Sequence, residues 1–377
     1  MMTTAVDADV VVSIIGAVST VCAAFALAPT TKDAVLFSTC FWLPLLGLQW
    51  IRQRRPWMAA SVNAVGFLLI WQIPDRHVWR PFATAMTFFA TTRAYDYAIH
   101  YPHLSAARHY AGTIMKLNTT QPRKHVLRMA DCFPFETILD LLVTIMIVAV
   151  CVMVGIPQCQ EWQSPEYPTT VGLQLPHYWR DWIVMHIRCG LIGIAFGYGI
   201  HLLQFLYGLW YAPFRIIHTQ AVMNHPLLAT SLTEFWSYRW NRLFHGFLKR
   251  NIYTPLLLHN NNKHYCNNNN NNKAMAVIGT FAFSGLCHVL VLEGGVERSM
   301  RANLGCMAFF LCQALLILVE QRIFFTNNNN NNNNQPKTQQ PQSTASMIAN
   351  RLFTYVSLLA TAPLLIEPSL RTTTHPS

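Results

Sequence analysis

Ser231-Leu-Thr-Glu-Phe-Trp-Ser-Tyr-Arg-Trp-Asn-Arg-Leu-Phe-His-Gly-Phe247 is too polar to cross a membrane, yet it lies between segments apolar enough to do so. Ser231 and Glu234 have the S-x-x-E spacing of a capping box, in which each side chain satisfies a backbone N–H at a helix start. Helical spacing then puts Trp236, Trp240, Leu243, Phe244 and Phe247 on one stripe, with Asn241 and His245 one turn apart on a neighbouring stripe. The expected element is an amphipathic helix in the membrane interface. Its aromatic rings would sit at headgroup depth, with Arg239, Arg242, Lys249 and Arg250 toward water.

The chain around this stretch has 377 residues, 52% apolar and only 11% charged. A soluble domain carries roughly 25% charged residues, so the composition is that of an integral membrane protein. The net charge of +11 points to basic cytosolic loops and anionic lipid, not to nucleic acid. Most cysteines lie in apolar runs as small packing residues, and no C-x-x-C pair suggests a zinc site or a disulfide framework.

Roughly nine spans can be drawn by length and hydropathy. They are Val10–Ala28, Ala34–Trp50, Trp57–Ile73, Pro81–Ala98, Phe133–Val154, Trp182–Tyr207, Ala274–Leu292, Asn303–Phe325 and Met347–Ile366. A turn at Pro29–Asp33 separates the first two, and Pro363 should kink or end the last. The basic loops Ile51–Pro56, His100–Asp131 and Tyr211–Lys273 then share the cytosolic side, opposite the acidic loop Gly155–Tyr178. The sequon at Asn118 is therefore expected to stay unglycosylated; a mass shift removed by a glycosidase would reverse the orientation. The fold class expected is all-α and polytopic, with about eight or nine transmembrane helices and one interfacial helix. Residues 1–325 and 347–368 form one membrane-embedded domain with its motif region at 225–292, and the Asn- and Gln-rich stretches 259–273 and 326–346 are expected to be disordered loops.

His288 stands in an apolar run with no charged residue within four positions. An ionisable side chain at such depth marks a functional site by default, and a neutral imidazole in a dry site is a good general base. A packing histidine bonded to a neighbouring helix fits the same pattern. Ser284-Gly285, one turn earlier, would leave room for a substrate chain. Asn241 is either a solvated interfacial residue or a partner whose amide orients an acyl group or an oxyanion. Arg93 and Asp96 form an i,i+3 pair inside a marginal span, either as a mutual salt bridge or as a polar cavity lining.

His225-Pro-Leu-Leu-Ala-Thr-Ser-Leu-Thr-Glu-Phe-Trp-Ser-Tyr-Arg-Trp-Asn241 and Phe281-Ala-Phe-Ser-Gly-Leu-Cys-His288 together resemble the two signature elements of the wax synthase-like branch of membrane-bound O-acyltransferases. Ser237-Tyr238 departs from the plant pattern, where small and basic residues usually stand. The resemblance implies acyl transfer from acyl-CoA to a hydroxyl inside the membrane, with His288 and Asn241 as catalytic residues. Trp236, Arg239, Trp240, Ser284, Gly285 and Arg93 are the candidate substrate-binding residues. The resemblance implies acyl-CoA as co-substrate and no metal or bound cofactor. The fungal members suggest acetyl-CoA with a terpenoid or other secondary-metabolite alcohol, and long-chain alcohols giving wax esters are the competing acceptors. The expected location is the endoplasmic reticulum membrane. A transporter using His288, Arg93 and Asp96 as an ion path is the alternative class; transporters commonly show repeated halves, and none is found here.

Overall fold

The computed structural model describes residue 28, residues 30–38, positions 84, 87, 88, 91, 92, 95, 96, 99 and 100, and residues 135–155, 179–211, 222–258, 269–295, 300–325 and 344–372. Among these, the long helices are α1 (Phe135–Gly155), α2 (Trp179–Tyr211), α6 (Asn269–Gly295), α7 (Met300–Glu320) and α8 (Thr344–Thr372). Between α2 and α6 lie the short helices α3 (Leu232–Glu234), α4 (Arg242–Leu248) and α5 (Thr254–Leu258). A π turn, Phe235–Arg239, follows α3, and a second, Lys249–Tyr253, joins α4 to α5. The protein is all-α and polytopic.

Among the described residues, four stretches are long and apolar enough to cross a membrane: Trp182–Leu202, Asn271–Val291, Met300–Ile323 and Ser346–Ile366. They correspond to four of the expected spans. A fifth expected span falls on α1, whose described apolar part is the shorter Leu142–Cys151. The expected spans before α1 lie largely outside the described residues. Helix 31–38 begins within the turn expected at Pro29–Asp33. Thr30 caps it: the Asp33 N–H donates to Thr30 Oγ1 at 3.1 Å and the Thr30 hydroxyl returns a bond to Asp33 Oδ2 at 2.7 Å.

Backbone contacts divide the chain into two units, of which the second comprises Leu139–Gln204, Ala221–Val289 and Arg298–Ser377. In this unit α7 and α8 pack along their lengths. Each helix shows why it spans. On α7, Leu304, Leu311, Leu315 and Val319 are exposed at helical spacing, whereas Phe310, Gln313, Ile317 and Glu320 are buried on the other face. On α8, Ile348, Leu352 and Val356 are exposed, while Asn350, Thr354, Ser357 and Thr361 form a buried polar stripe. Apolar side chains outside and small polar ones inside suit helices that associate in lipid, where lipid tails are as apolar as leucine and packing with interhelical hydrogen bonds holds the bundle.

Two boundaries differ from the hydropathy reading. Helix α8 runs through Pro363 to Thr372 and is not ended there. Proline is tolerated inside membrane helices, where neighbouring groups re-satisfy the freed carbonyl. Helix α6 starts at Asn269, so the last asparagines of the 267–272 run form its first turn. Asparagine suits helix starts, and a turn there extends a helix already nucleated by the apolar run. Residues 259–268 and 326–343 lie outside the described residues.

Candidate active site

The stretch Ser231–Phe247 is helical, as its spacing predicts, but it is in two pieces. Ser231 caps the first: the Glu234 N–H donates to Ser231 Oγ at 3.0 Å. The reciprocal half of the expected capping box is absent. Glu234 Oε2 accepts instead from the N–H and hydroxyl of Thr230, at 2.8 and 2.6 Å, one residue before the cap. The π turn closes with the Trp240 N–H on the Phe235 carbonyl at 2.8 Å. The chain then breaks, with Trp240 extended and Asn241 left-handed at φ 42°, ψ 57°.

The cause of the break lies upstream. Val222–Asn224 pairs with the residues around it: the Asn224 N–H donates to the Arg239 carbonyl at 2.8 Å and the Arg242 N–H to the Val222 carbonyl at 2.9 Å. These bonds take groups a continuous helix would need. Asparagine is one of the few side chains that tolerates the left-handed region, so the break falls on Asn241. From there α4 restarts, with the Phe244 and His245 N–H groups on the Asn241 carbonyl.

Arg239 fastens this hairpin and does not face water as a free cation. Its Nε and Nη2 reach Glu234 Oε1 at 2.7 and 2.6 Å, and its Nη1 donates to the carbonyls of Asn224 and His225 at 3.2 and 3.1 Å. Burial raises the Glu234 carboxyl pKa, but the hydrogen bonds from Thr230 and Arg239 and the Arg239 charge outweigh it, and the group lies below the usual carboxylate range. A depressed folded-state pKa gives stability that is present above the unfolded value and lost as pH falls through the folded one. Thermal stability of the detergent-solubilised protein should therefore decline as pH drops below about 4.3, the ordinary glutamate value. Glu234→Gln should flatten that limb, and an acid limb equal to wild type would refute the assignment.

The half-buried aromatic residues of this stretch pack against other rings of the protein. The Trp236 ring meets Phe281 at 5.7 Å, Phe309 at 6.2 Å and Phe310 at 6.3 Å, and its Nε1–H donates to Gln313 Oε1 at 3.0 Å. Packing of a large aromatic is worth about 3–5 kcal/mol and a net hydrogen bond about 1 kcal/mol, so the cage holds Trp236 and the Gln313 bond fixes its orientation. Trp240 stacks on Phe235 at 5.3 Å and fills the space where a Cβ at Gly197 of α2 would lie, so that position takes glycine.

His288 sits on α6. Its Nδ1 lies 2.7 Å from the Ser284 carbonyl oxygen. A carbonyl only accepts, so Nδ1 carries the proton and the neutral ring presents Nε2 as a lone pair. His186 makes the same bond to the Trp182 carbonyl at 2.7 Å, so the bond sets a tautomer and does not by itself mark a site. The Phe310 ring lies 4.5 Å from the His288 ring. Ser284 and Gly285 are buried, and the room expected in front of Gly285 is taken: a Cβ there would meet Met307 Sδ at 3.1 Å and Phe310 Cβ at 3.2 Å. That glycine brings α7 close to α6.

Asn241 and His288 share no hydrogen bond among the described residues. They are linked through rings: Asn241 follows Trp240, Trp240 meets Trp236 at 6.2 Å, Trp236 meets Phe310, and Phe310 meets His288. Among the described residues the Asn241 side-chain amide has no hydrogen-bond partner; its backbone N–H points to Met223 Sδ at 3.4 Å. Arg93 lies outside the described residues, and Asp96 is fully buried.

Three residues at this site escaped the sequence reading: Phe310, Gln313 and Glu320, all on α7. Glu320 and Gln313 are fully buried. Leu232 N–H and Thr233 N–H donate to the two oxygens of Glu320 at 2.6 and 3.1 Å, and the Thr233 hydroxyl adds a bond at 3.0 Å. The signal was available. The rule that singles out His288, an ionisable residue inside a span, applies equally to Glu320.

An all-α membrane protein with a histidine inside one span and buried polar groups of a second span tied to the segment before Asn241 is the class that these observations define. Residues 219–312 match the model of the membrane bound O-acyl transferase family, and this stretch contains both Asn241 and His288. The chain is 33% identical over 97 residues to Acyl-CoA--sterol O-acyltransferase 1 of Arabidopsis thaliana, covering 26% of each protein. It is 31% identical over 101 residues to Probable long-chain-alcohol O-fatty-acyltransferase 2 of the same plant, covering 27% of this chain and 28% of the relative. The chain thus spans about a quarter of the length of the curated relatives it matches. These matches support the membrane-bound O-acyltransferase superfamily; they do not extend to the fungal secondary-metabolite enzymes.

Proposed function

We propose that the protein is an acyl-CoA-dependent O-acyltransferase acting on the hydroxyl of a lipophilic alcohol. The observation that carries the reading is the place of His288, an ionisable residue in the apolar span Asn271–Val291 and within the matched stretch 219–312, with Nδ1 turned to the Ser284 carbonyl so that Nε2 is left as a base. The family match over 219–312 and the names of the two relatives support it.

The chemistry is a direct transfer. A thioester is already activated, so no covalent enzyme intermediate is needed. The alcohol proton moves to His288 Nε2 as its oxygen attacks the thioester carbonyl. The amide N–H of Asn241 donates to the oxyanion that develops. The C–S bond breaks, and His288 returns the proton to the departing CoA thiolate, which leaves CoA as the thiol and the imidazole neutral. Proximity of the two reactants in a site closed to water supplies much of the rate.

For the acceptor, the proposal is a polycyclic alcohol of terpenoid type, and the relative named as a sterol acyltransferase supports that size and shape. Acetyl is the proposed acyl group. The relative named as a long-chain-alcohol acyltransferase favours the second reading, a straight-chain alcohol and a wax ester product. The endoplasmic reticulum membrane is the proposed location. Membranes containing the full chain, given labelled acetyl-CoA or palmitoyl-CoA with sterol, terpenoid and long-chain alcohols, should form labelled ester. CoA-independent flux without ester would instead mean a transporter.

A further inference from the structure

A helix leaves its first four N–H groups without partners in the helix. For the segment beginning at Leu232, the N–H groups of Leu232, Thr233 and Glu234 all find partners outside the helix ladder, and Phe235 makes the first ladder bond. Glu234 N–H goes to Ser231 Oγ and Phe235 N–H to the Ser231 carbonyl. Those of Leu232 and Thr233 go to Glu320, a residue 88 positions away from Leu232 on another helix. Seven residues before Glu320, on the same face of α7, Gln313 accepts from the Trp236 indole. Seven residues is close to two helical turns, so the two polar groups stand one above the other. Leu232, Ala314 and Ile317 form a buried apolar cluster between them.

Gln313 is held in turn. Its Nε2 donates to Thr361 Oγ1 at 2.6 Å, and the Thr361 hydroxyl bonds the Ser357 carbonyl at 2.8 Å. One turn before Gln313, again on that face, Phe310 packs against the His288 ring. A single stripe of α7 therefore touches both signature elements: the segment that ends in Asn241 and the helix that bears His288. Carboxyl and amide groups are costly in a membrane-spanning helix, and the apolar cluster would suffice if packing alone were needed. A polar pair adds a fixed register, because each group bonds only at one axial position.

We propose that Gln313 and Glu320 are positioning residues, two buried polar clamps on one face of α7 that hold the Leu232–Asn241 segment in register with His288. The proposal rests on the acyltransferase reading. It predicts that loosening either clamp displaces Asn241 from the acyl group without removing a group that contacts substrate.

The test uses the full chain in membranes, with Glu320→Ala, Glu320→Gln and Gln313→Ala, and activity normalised to folded protein. A misplacement of about 1 Å costs on the order of 100-fold in rate, so Glu320→Ala should lower kcat by about that factor. KM for acyl-CoA and for the alcohol should stay within about twofold, because the lost interaction is not substrate binding. Glu320→Gln keeps one acceptor oxygen and should recover about tenfold of the loss, and Gln313→Ala should lower kcat by about tenfold. Amide exchange at Leu232 and Thr233 should speed up in Glu320→Ala and slow again in Glu320→Gln. Unchanged kcat per folded enzyme, a loss confined to KM, or unchanged exchange would overturn the proposal. A wild type that forms no ester with any donor and alcohol fails the acyltransferase reading, and exchange at Leu232 and Thr233 then decides the clamp by itself.

Discussion

Replacing His288 by alanine should lower ester formation by about 1,000-fold, in the middle of the range that a positioned general base contributes. The argument rests on one atom. Nδ1 is committed to the Ser284 carbonyl, so only Nε2 can take the hydroxyl proton. Alanine removes both nitrogens and also leaves space beside Phe310. His288→Asn separates these effects, because an asparagine amide can still donate to the Ser284 carbonyl but has no basic nitrogen. Both variants should accumulate as folded protein by size-exclusion in detergent and show a loss of that size with every acyl-CoA. Full activity in His288→Asn would remove the base assignment.

Arg239→Ala should cost about 2 kcal/mol of stability, within the range for losing hydrogen bonds to a charged group. The side chains of Arg239 and Glu234 are 17% and 24% exposed, so the pair is partly shielded from solvent. Arg239 also holds two unusual residues in place. His225 and Asn241 are the non-glycine residues with positive φ among those described, at 45° and 42°. Such conformations cost on the order of 1–3 kcal/mol each and persist only where surrounding bonds over-determine them. His225 precedes Pro226, which adds its own restriction. Arg239 bonds the His225 carbonyl directly and also the carbonyl of Asn224, in the segment that pairs beside Asn241. Its loss frees both positions to relax. Arg239→Lys keeps the charge but not the planar fork, so it should recover less than half the loss. Thermal unfolding in detergent measures this, and an Arg239→Ala variant as stable as wild type would show that the clasp is dispensable.

Much of the fold was legible because membranes simplify the reading. Length and hydropathy locate α2, α6, α7 and α8, since a span must satisfy its own backbone and carry an apolar exterior. His288 was legible for the same reason: one ionisable residue stands out against an apolar run. Register was not legible. Helical spacing made Ser231–Phe247 one amphipathic helix, but the pairing with Val222–Asn224 is a contact across sequence that no periodicity encodes. The role of Arg239 was misread on the same account, because a basic residue on an amphipathic pattern looks solvated until the carbonyls of Asn224 and His225 are placed beside it. Gly285 was read as room for substrate, whereas Met307 and Phe310 come from a helix whose approach the sequence does not state. Glu320 was within reach of the rule already applied to His288.

The π turn at Phe235–Arg239 also sets an angular phase. One α-helical residue advances the chain by about 100° around the axis, and a turn closed over five residues holds one more residue than an α turn. The turn is therefore a built-in offset between the face that Ser231 starts and the face on which the chain leaves at Trp240. Had the five residues wound as α-helix, the indole of Trp240 would have left the groove at Gly197 and pointed elsewhere on the circle. Phe235–Arg239 acts like the vernier of a dial: a small mismatch in winding sets where Trp240 meets Gly197 and where Asn241 begins the next helix.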